Sequence, residues 1–262
     1  MDYDYKIIKY PRTPHLQGSR LQAGDEDLSQ VAFDFVLNKN IVIEEKIDGA
    51  NTAISFDGDG NLLLQSRGHY LIGGYRERHY NLFKQWANAN QDTLFDALSN
   101  RYVMYGEWMY AKHAVFYDAL PDYFMEFDIF DRERQVFLDT PSRRAITKKM
   151  GIISSVPVLS SGIFESKESI LSHLGNSNYI TENHIEVLRT IASRLNLDVE
   201  RAVKETDASL KMEGLYIKIE ENGIVTGRVK YVRASFIQSV MQAEGHWLNK
   251  PIIPNQLKDE RA

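Results

Sequence analysis

Apolar and polar positions divide the chain into four stretches. Up to about residue 40, Pro11, Pro14, Gly18 and Gly24 interrupt short apolar runs and bar a long helix. One helix is expected there, over 27–37. Strands begin at Ile41-Val42-Ile43-Glu44-Glu45. Residues 52–56 and 62–66 then flank Asp57-Gly58-Asp59-Gly60-Asn61, the pattern of a hairpin. The spacing of Leu82, Phe83, Trp86, Leu94 and Leu98 predicts one or two helices over 79–99. Strands follow over 101–108 and 123–130, with a short one at 136–138 across the polar turn Asp131-Arg132-Glu133-Arg134.

Pro141 starts a helix that runs to Met150. Val156-Pro157-Val158-Leu159 reads as an edge strand, because proline cannot donate to a ladder. Helices are predicted over 165–174, 182–195 and 198–205. Strands 213–220 and 224–231 flank Glu221-Asn222-Gly223, a tight-turn signal. A helix over 234–242 closes the pattern, and a tail with Pro251 and Pro254 is expected to be poorly ordered. The sum is an α+β domain, with antiparallel strands first and last and helices inserted between them. The domain is expected to span 1–235, with 236–262 as a C-terminal helix and tail.

Composition narrows the chemistry. The chain has 262 residues and no cysteine, which removes disulfides, a thiolate nucleophile and cysteine-ligated zinc. No run of about 20 apolar residues offers a membrane span, and the polar start Met-Asp-Tyr-Asp-Tyr-Lys lacks the form of a secretory signal. A cytoplasmic protein is the expectation. The net charge of −5 counts mildly against a nucleic-acid binder, although binding needs only a local positive surface.

Several short segments carry candidate chemistry. Glu45-Lys46-Ile47-Asp48-Gly49-Ala50-Asn51 places a lysine at the end of an apolar strand, before a glycine turn. Partial burial and a nearby cation can free a lysine lone pair, and Gly49 lets a phosphate approach closely. Arg67, at the end of the next hairpin, has a guanidinium fork suited to phosphate. Glu107 follows a strand and can bind a ribose hydroxyl or a metal. In 123–130, strict alternation puts Phe124, Glu126 and Asp128 on one face and Tyr123, Met125, Phe127 and Ile129 on the other. An aromatic at the mouth of a β pocket can stack on a purine. Glu213 and Lys218 are an odd number of residues apart, so a regular strand points them to opposite faces, unless a bulge at Gly214 brings them closer. Arg228 and Lys230 share a face, a positive pair suited to a triphosphate. Each segment alone also fits a solvated strand end or a packed core.

Together, in order from Lys46 to Lys230, these segments resemble the covalent nucleotidyltransferase superfamily of ATP-dependent ligases and capping enzymes. Within it the chain is most similar to the phage-type, nick-sealing RNA ligases, whose nucleophile motif reads Glu-Lys-x-x-Gly-x-Asn, here Glu45, Lys46, Gly49 and Asn51. The resemblance implies an antiparallel β-sheet, ATP-grasp-like ligase adenylation domain. It also implies ATP and magnesium or manganese as cofactors, and lysyl-AMP on Lys46. Arg67 would then contact the AMP phosphate or the RNA end. Glu107 would bind the ribose and Phe127 would stack on adenine. Glu213 would act in metal or phosphate-transfer steps with Lys218 nearby, and Lys230 would contact the α-phosphate and lower the pKa of Lys46. Glu107 and Glu213 are the candidate metal ligands. Glu45, Asn51 and Arg228 complete the cofactor-binding set.

The sequence departs from that family at Asp48, where the closest RNA ligases often have histidine, and at Arg228, where lysine is usual. A separate C-terminal OB-fold domain is not expected in the roughly 30 residues after Arg233. The implied partner is RNA, as nicked duplex or broken ends, possibly DNA, with no membrane; a partner subunit would be one source of a nick-binding domain. Arg76, Arg78, His79 and Arg233 are candidate RNA contacts, as are Arg143, Arg144, Lys148 and Lys149. The competing readings are a DNA ligase, a capping guanylyltransferase, and a nucleotide- or RNA-binding module without catalysis.

Overall fold

The computed structural model describes residues 5–21, 30–236 and 251–258. Its strands are β1 (His15–Leu16), β2 (Gln30–Val31), β3 (Asn40–Lys46), β4 (Ala50–Phe56), β5 (Leu62–Ser66), β6 (Tyr102–Trp108), β7 (Phe124–Asp131), β8 (Val136–Phe137), β9 (Ser154–Ser155), β10 (Val158–Ile163), β11 (Gly214–Glu221) and β12 (Ile224–Val232). Its α-helices are α1 (Asn81–Ala89), α2 (Gln91–Leu98), α3 (Thr140–Met150), α4 (Lys167–Leu171), α5 (His184–Arg194) and α6 (Val199–Lys204). The fold is α+β, built on two sheets. One has the order β10-β3-β11-β12-β1-β2; the other has the order β5-β4-β6-β7-β8, with β9 beside β7. The long pairs are antiparallel, and tight turns join β4 to β5 and β11 to β12.

Local chemistry sets the element ends. The Asp57 carboxylate accepts from the amides of Asp59 and Asn61 and so closes the β4–β5 hairpin as an Asx turn. Asp139 caps α3 through Ser142 N, Pro141 sits in its first turn, and Gly151 ends it in the left-handed conformation.

Three apolar layers follow from strand alternation. Ile41, Ile43, Leu215, Ile217, Ile219 and Val229 cover the outer face of the first sheet, under Val36 and Ile170. Ile54, Phe56, Met104 and Phe124 cover the far face of the second, against Phe83, Leu94 and Leu98 of α1 and α2. Ala53, Val103, Tyr105, Met125, Phe127 and Val232 meet between the sheets. Alternate positions of β3, β11 and β12 on that same interior face also carry polar side chains: Glu44 and Lys46, Tyr216 and Lys218, Arg228 and Lys230. Period-two patterning thus delivers a row of charges into the space between the sheets.

Four expectations are corrected. Residues 30–37 do not form a helix; they give β2 and a 3-10 turn at Phe33–Phe35, while 27–29 lie outside the described residues. The strict alternation of β7 breaks at a bulge, because Glu126 pairs with Gly106 but Asp128 pairs with its neighbour Tyr105. Phe127 is the extra residue, so Ile129 packs with Phe124 rather than with Phe127. The edge strand starts later than Val156, and Val156-Pro157 instead crosses from β9 on one sheet to β10 on the other. Residues 251–258 are not a loose tail, since Asn255 is fully buried. The helix expected over 234–242 lies largely outside the described residues.

Candidate active site

The strand termini of both sheets converge on one cleft of about 1240 Å³. Lys46, at the end of β3, stands opposite the start of β11, with Gly214 its register partner. Its Nζ donates to Glu213 Oε2 at 2.7 Å, and Glu213 is fully buried. Gly214 is required by close approach: a Cβ there would collide with the Tyr231 carbonyl oxygen. This tight junction precedes the regular strand. It lets Glu213 reach Lys46 while Lys218 contacts interior groups further along, despite their odd spacing.

Burial acts to lower the Lys46 pKa, but Glu213, and then Asp48 and Glu107, outweigh it and raise it above the ordinary lysine value. The amine is therefore held as an ammonium while Glu213 is its partner. This is opposite in direction to the lowering that the resemblance attributes to Lys230.

Asn51 and Glu107 face one another as register partners on β4 and β6, and both line the cleft with Arg67 and Lys230. Burial, reinforced by Glu213 and Asp48 and only partly offset by Lys46, pushes the Glu107 carboxyl up to about 8. Its Oε2 is buried and has no hydrogen-bond partner among the described residues. His113, also on the wall, is driven down to about 4 by burial and by His79 and Lys112, so it is neutral near pH 7.

The turn after Lys46 is held from outside. Asp48 accepts from the amides of Ala114 and Val115 at 2.8 and 3.1 Å, and its own amide donates to Tyr117 Oη at 2.8 Å. Gly49 fits because a Cβ would lie 2.6 Å from Met109 Sδ and 3.0 Å from the Trp108 carbonyl oxygen. Residues 109–120 are themselves clamped by 251–258. Asn255 Oδ1 accepts from Tyr117 N at 2.9 Å, and its Nδ2 donates to Met109 O at 2.6 Å.

A smaller recess of about 80 Å³ opens beside Lys46, lined by Glu45, Asn51, Glu107, Phe127, Val156, Tyr10 and Tyr216. Phe127 meets Tyr10 edge-on at 5.0 Å. Glu45 is fixed by Ser177 Oγ and by the amide and side chain of Asn178. Sequence reading missed Tyr10 and Tyr216, whose hydroxyls lie 2.8 Å apart. Tyr10 precedes Pro11 in an irregular segment, and nothing local marks it.

Two expected ligand contacts lie elsewhere. Lys218 is fully buried, pairs with Glu44 at 3.0 Å and Asp128 at 2.9 Å, and donates to the Phe127 carbonyl. The Arg228 guanidinium lies over the Phe137 ring at 4.1 Å, with Asp128 at 3.6 Å. Both belong to a buried ionic network completed by Arg143, which pairs with Glu44 and with Glu126. Burial opposes the charge of Asp128, but Lys218, Arg228 and Arg143 outweigh it and hold its carboxyl below the usual range.

The surface candidates divide likewise. Arg143 is fully buried, His79 and Arg233 are buried, and Arg233 is tied to Asp207 and to Met212 O. These are not available to RNA. Arg144, Lys148 and Lys149 are exposed. The side chain of Arg76 lies outside the described residues.

One cleft thus gathers Lys46, the buried Glu213, the half-buried Glu107, Arg67 and Lys230, with an aromatic recess beside it, an arrangement consistent with a nucleotidyltransferase-type domain. The sequence model of the family described as RNA ligase matches residues 39–232, and the chain belongs to that family. The fold is similar to solved structures of an RNA ligase from Naegleria gruberi. A variant with AMP and manganese aligns with a TM-score of 0.57 at 16% identity, covering 90% of this chain and 59% of that one. A variant with ATP and manganese gives 0.51 at 14%, covering 80% and 54%. The chain thus spans little more than half the length of these relatives. No curated protein matches. Among the described residues, no helix is long and apolar enough to cross a membrane.

Proposed function

We propose that the chain is an ATP-dependent RNA ligase that carries AMP on Lys46 and transfers it to a 5′-phosphate RNA end for joining to a 3′-hydroxyl. The observation that carries this reading is the Lys46–Glu213 contact at 2.7 Å on the wall of the cleft, beside an aromatic recess of nucleobase character. Adenine enters the recess against Phe127, with Tyr10 and Tyr216 behind it. Glu107 and Asn51 face the ribose, and Lys230 and Arg67 face the phosphates.

In the first step Lys46 gives up a proton, for which Glu213 is the adjacent acceptor. The Lys46 Nζ lone pair then forms a bond to the α-phosphorus of ATP as the bond to pyrophosphate breaks. Next, an oxygen of the RNA 5′-phosphate displaces Lys46 from the α-phosphorus and takes the AMP. Finally the 3′-hydroxyl attacks that 5′-phosphate, loses its proton and releases AMP. Lys230 stabilises charge on the phosphate during transfer.

A divalent cation fits the donor set. Among the described residues no preformed cluster of metal-binding residues exists. Magnesium and manganese need only one or two carboxylates, with phosphate and water completing the shell. Glu107, with its unpartnered Oε2, and Glu213 would hold it. When bound, it supplies charge neutralisation at the phosphates.

Sealing of a nicked RNA duplex, compared between ATP and GTP and between RNA and DNA nicks, tests the proposal. Sealing of RNA with ATP is the expected result. Joining of DNA alone, or labelling by GTP alone, would replace the RNA ligase reading with one of its rivals.

A further inference from the structure

The mouth of the cleft carries a feature that nucleotide chemistry does not use. Between β5 and α1 the chain runs through Ile72-Gly73-Gly74-Tyr75. Ile72 is 92% exposed and Tyr75 is 80% exposed, and both line the same cleft as Lys46 and Arg67. Single exposed apolar residues are ordinary, but this pair sits on an anchored loop. Buried Glu77 accepts from the Gly73 amide at 2.9 Å, its own amide donates to Gly74 O at 3.0 Å, and Lys84 fixes its carboxylate. Both glycines have positive φ, 121° and 112°, so the backbone is shaped to hold the tip outward. The Arg78 guanidinium covers one side of the Tyr75 ring at 4.7 Å. Cation–π contact of this kind stiffens a ring whose remaining surface is open.

An exposed aromatic backed by arginine, on the rim of a cleft flanked by Arg67, matches the chemistry of a nucleobase with its phosphates. Aromatic rings stack on bases without regard to sequence, and the cations answer the backbone charge. Resting on the ligase reading above, we propose that Tyr75, with Ile72 beside it, is a stacking platform for a nucleobase adjacent to the RNA end being joined.

The test uses the whole chain as wild type, Tyr75→Ala and Tyr75→Phe. Its probes are a nicked RNA duplex and the same duplex with an abasic position beside the nick. Labelling with ATP alone is measured in parallel. The expected result is that Tyr75→Ala takes up AMP like wild type but binds the intact nick about tenfold more weakly, while Tyr75→Phe binds like wild type. The abasic position should weaken wild type and leave Tyr75→Ala unaffected. Equal affinity of wild type and Tyr75→Ala for the intact nick would overturn the platform and leave the ridge to a protein partner. Equal weakening of both by the abasic position would overturn it as well. Failure of the ligase reading is seen separately, as absence of AMP uptake by wild type, and the binding comparison still decides the platform.

Discussion

Lys46 Nζ and Glu213 Oε2 lie 2.7 Å apart across the β3–β11 pair, and this ion pair holds the candidate nucleophile in its unreactive, protonated form. A raised lysine pKa means that the folded state binds the proton more tightly than the unfolded one. The stabilisation is therefore full below the ordinary lysine value and is lost as pH rises through the higher folded value. Glu213→Gln removes the largest charge partner, so Lys46 should lose its proton at lower pH. Acetylation of Lys46 in the nucleotide-free protein, followed by mass spectrometry across pH, should begin at lower pH in the variant. An unchanged profile would show that Glu213 does not set the protonation of the amine.

The Glu107 pKa is shifted in the same direction, although its favoured protonated form is the neutral one. Its carboxyl, raised to about 8, is favoured in its neutral form by the fold. Its stabilisation is complete below the usual carboxylate range and is lost as pH rises through the folded value. In the absence of metal and nucleotide, wild-type stability relative to Glu107→Gln should fall between about pH 5 and about pH 8. Urea midpoints across that range check this; parallel curves would mean that Glu107 is already ionised in the folded protein.

Phe127→Ala should raise the KM for ATP about tenfold while leaving maximal AMP uptake nearly intact, because base stacking is lost without disturbing the lysine. Phe127→Tyr should keep most of the affinity. Steady-state AMP uptake as a function of ATP separates the two effects.

The buried network predicts a stability effect instead. Lys218→Met leaves Glu44 and Asp128 short of a cation in the interior and should cost about 3–5 kcal/mol. The ATP KM of the protein that remains folded should be unchanged. A selective loss of ATP binding at unchanged stability would return Lys218 to the nucleotide site.

Asn255 links residues 251–258 to Tyr117 and Met109, and through them to Asp48 and Gly49. Asn255→Ala should slow single-turnover AMP uptake by about tenfold or more, because small displacements of a nucleophile are expensive. The slowing should be in the rate constant. A loss of amplitude alone would mean that the contact only supports folding.

These outcomes explain what the sequence could and could not reveal. The β-hairpins, the helices α1 to α3 and the position of Lys46 were legible because alternation, Asx turns and caps are local. Lys46, Asn51, Glu107 and Lys230 line the cleft because each stands near a strand end, which spacing shows, whereas Phe127 lines the adjoining recess from the middle of β7. Lys218 and Arg228 were misplaced because their partners, Glu44, Asp128 and Arg143, are distant in sequence, and nothing local distinguishes a buried lysine from one in a pocket. The bulge at Phe127 also escaped, since a single extra residue leaves no mark on the apolar pattern. Pro251 and Pro254 suggested a loose tail, whereas burial of Asn255 depends on carbonyls and amides more than 130 residues earlier.

The most direct test of the central claim is incubation with α-labelled ATP and a divalent cation, then denaturing separation and peptide mapping, for wild type and Lys46→Ala. The account predicts one AMP on the peptide containing Lys46 and none on the variant. Label that persists in Lys46→Ala, or no label on wild type freed of bound AMP beforehand, would contradict it.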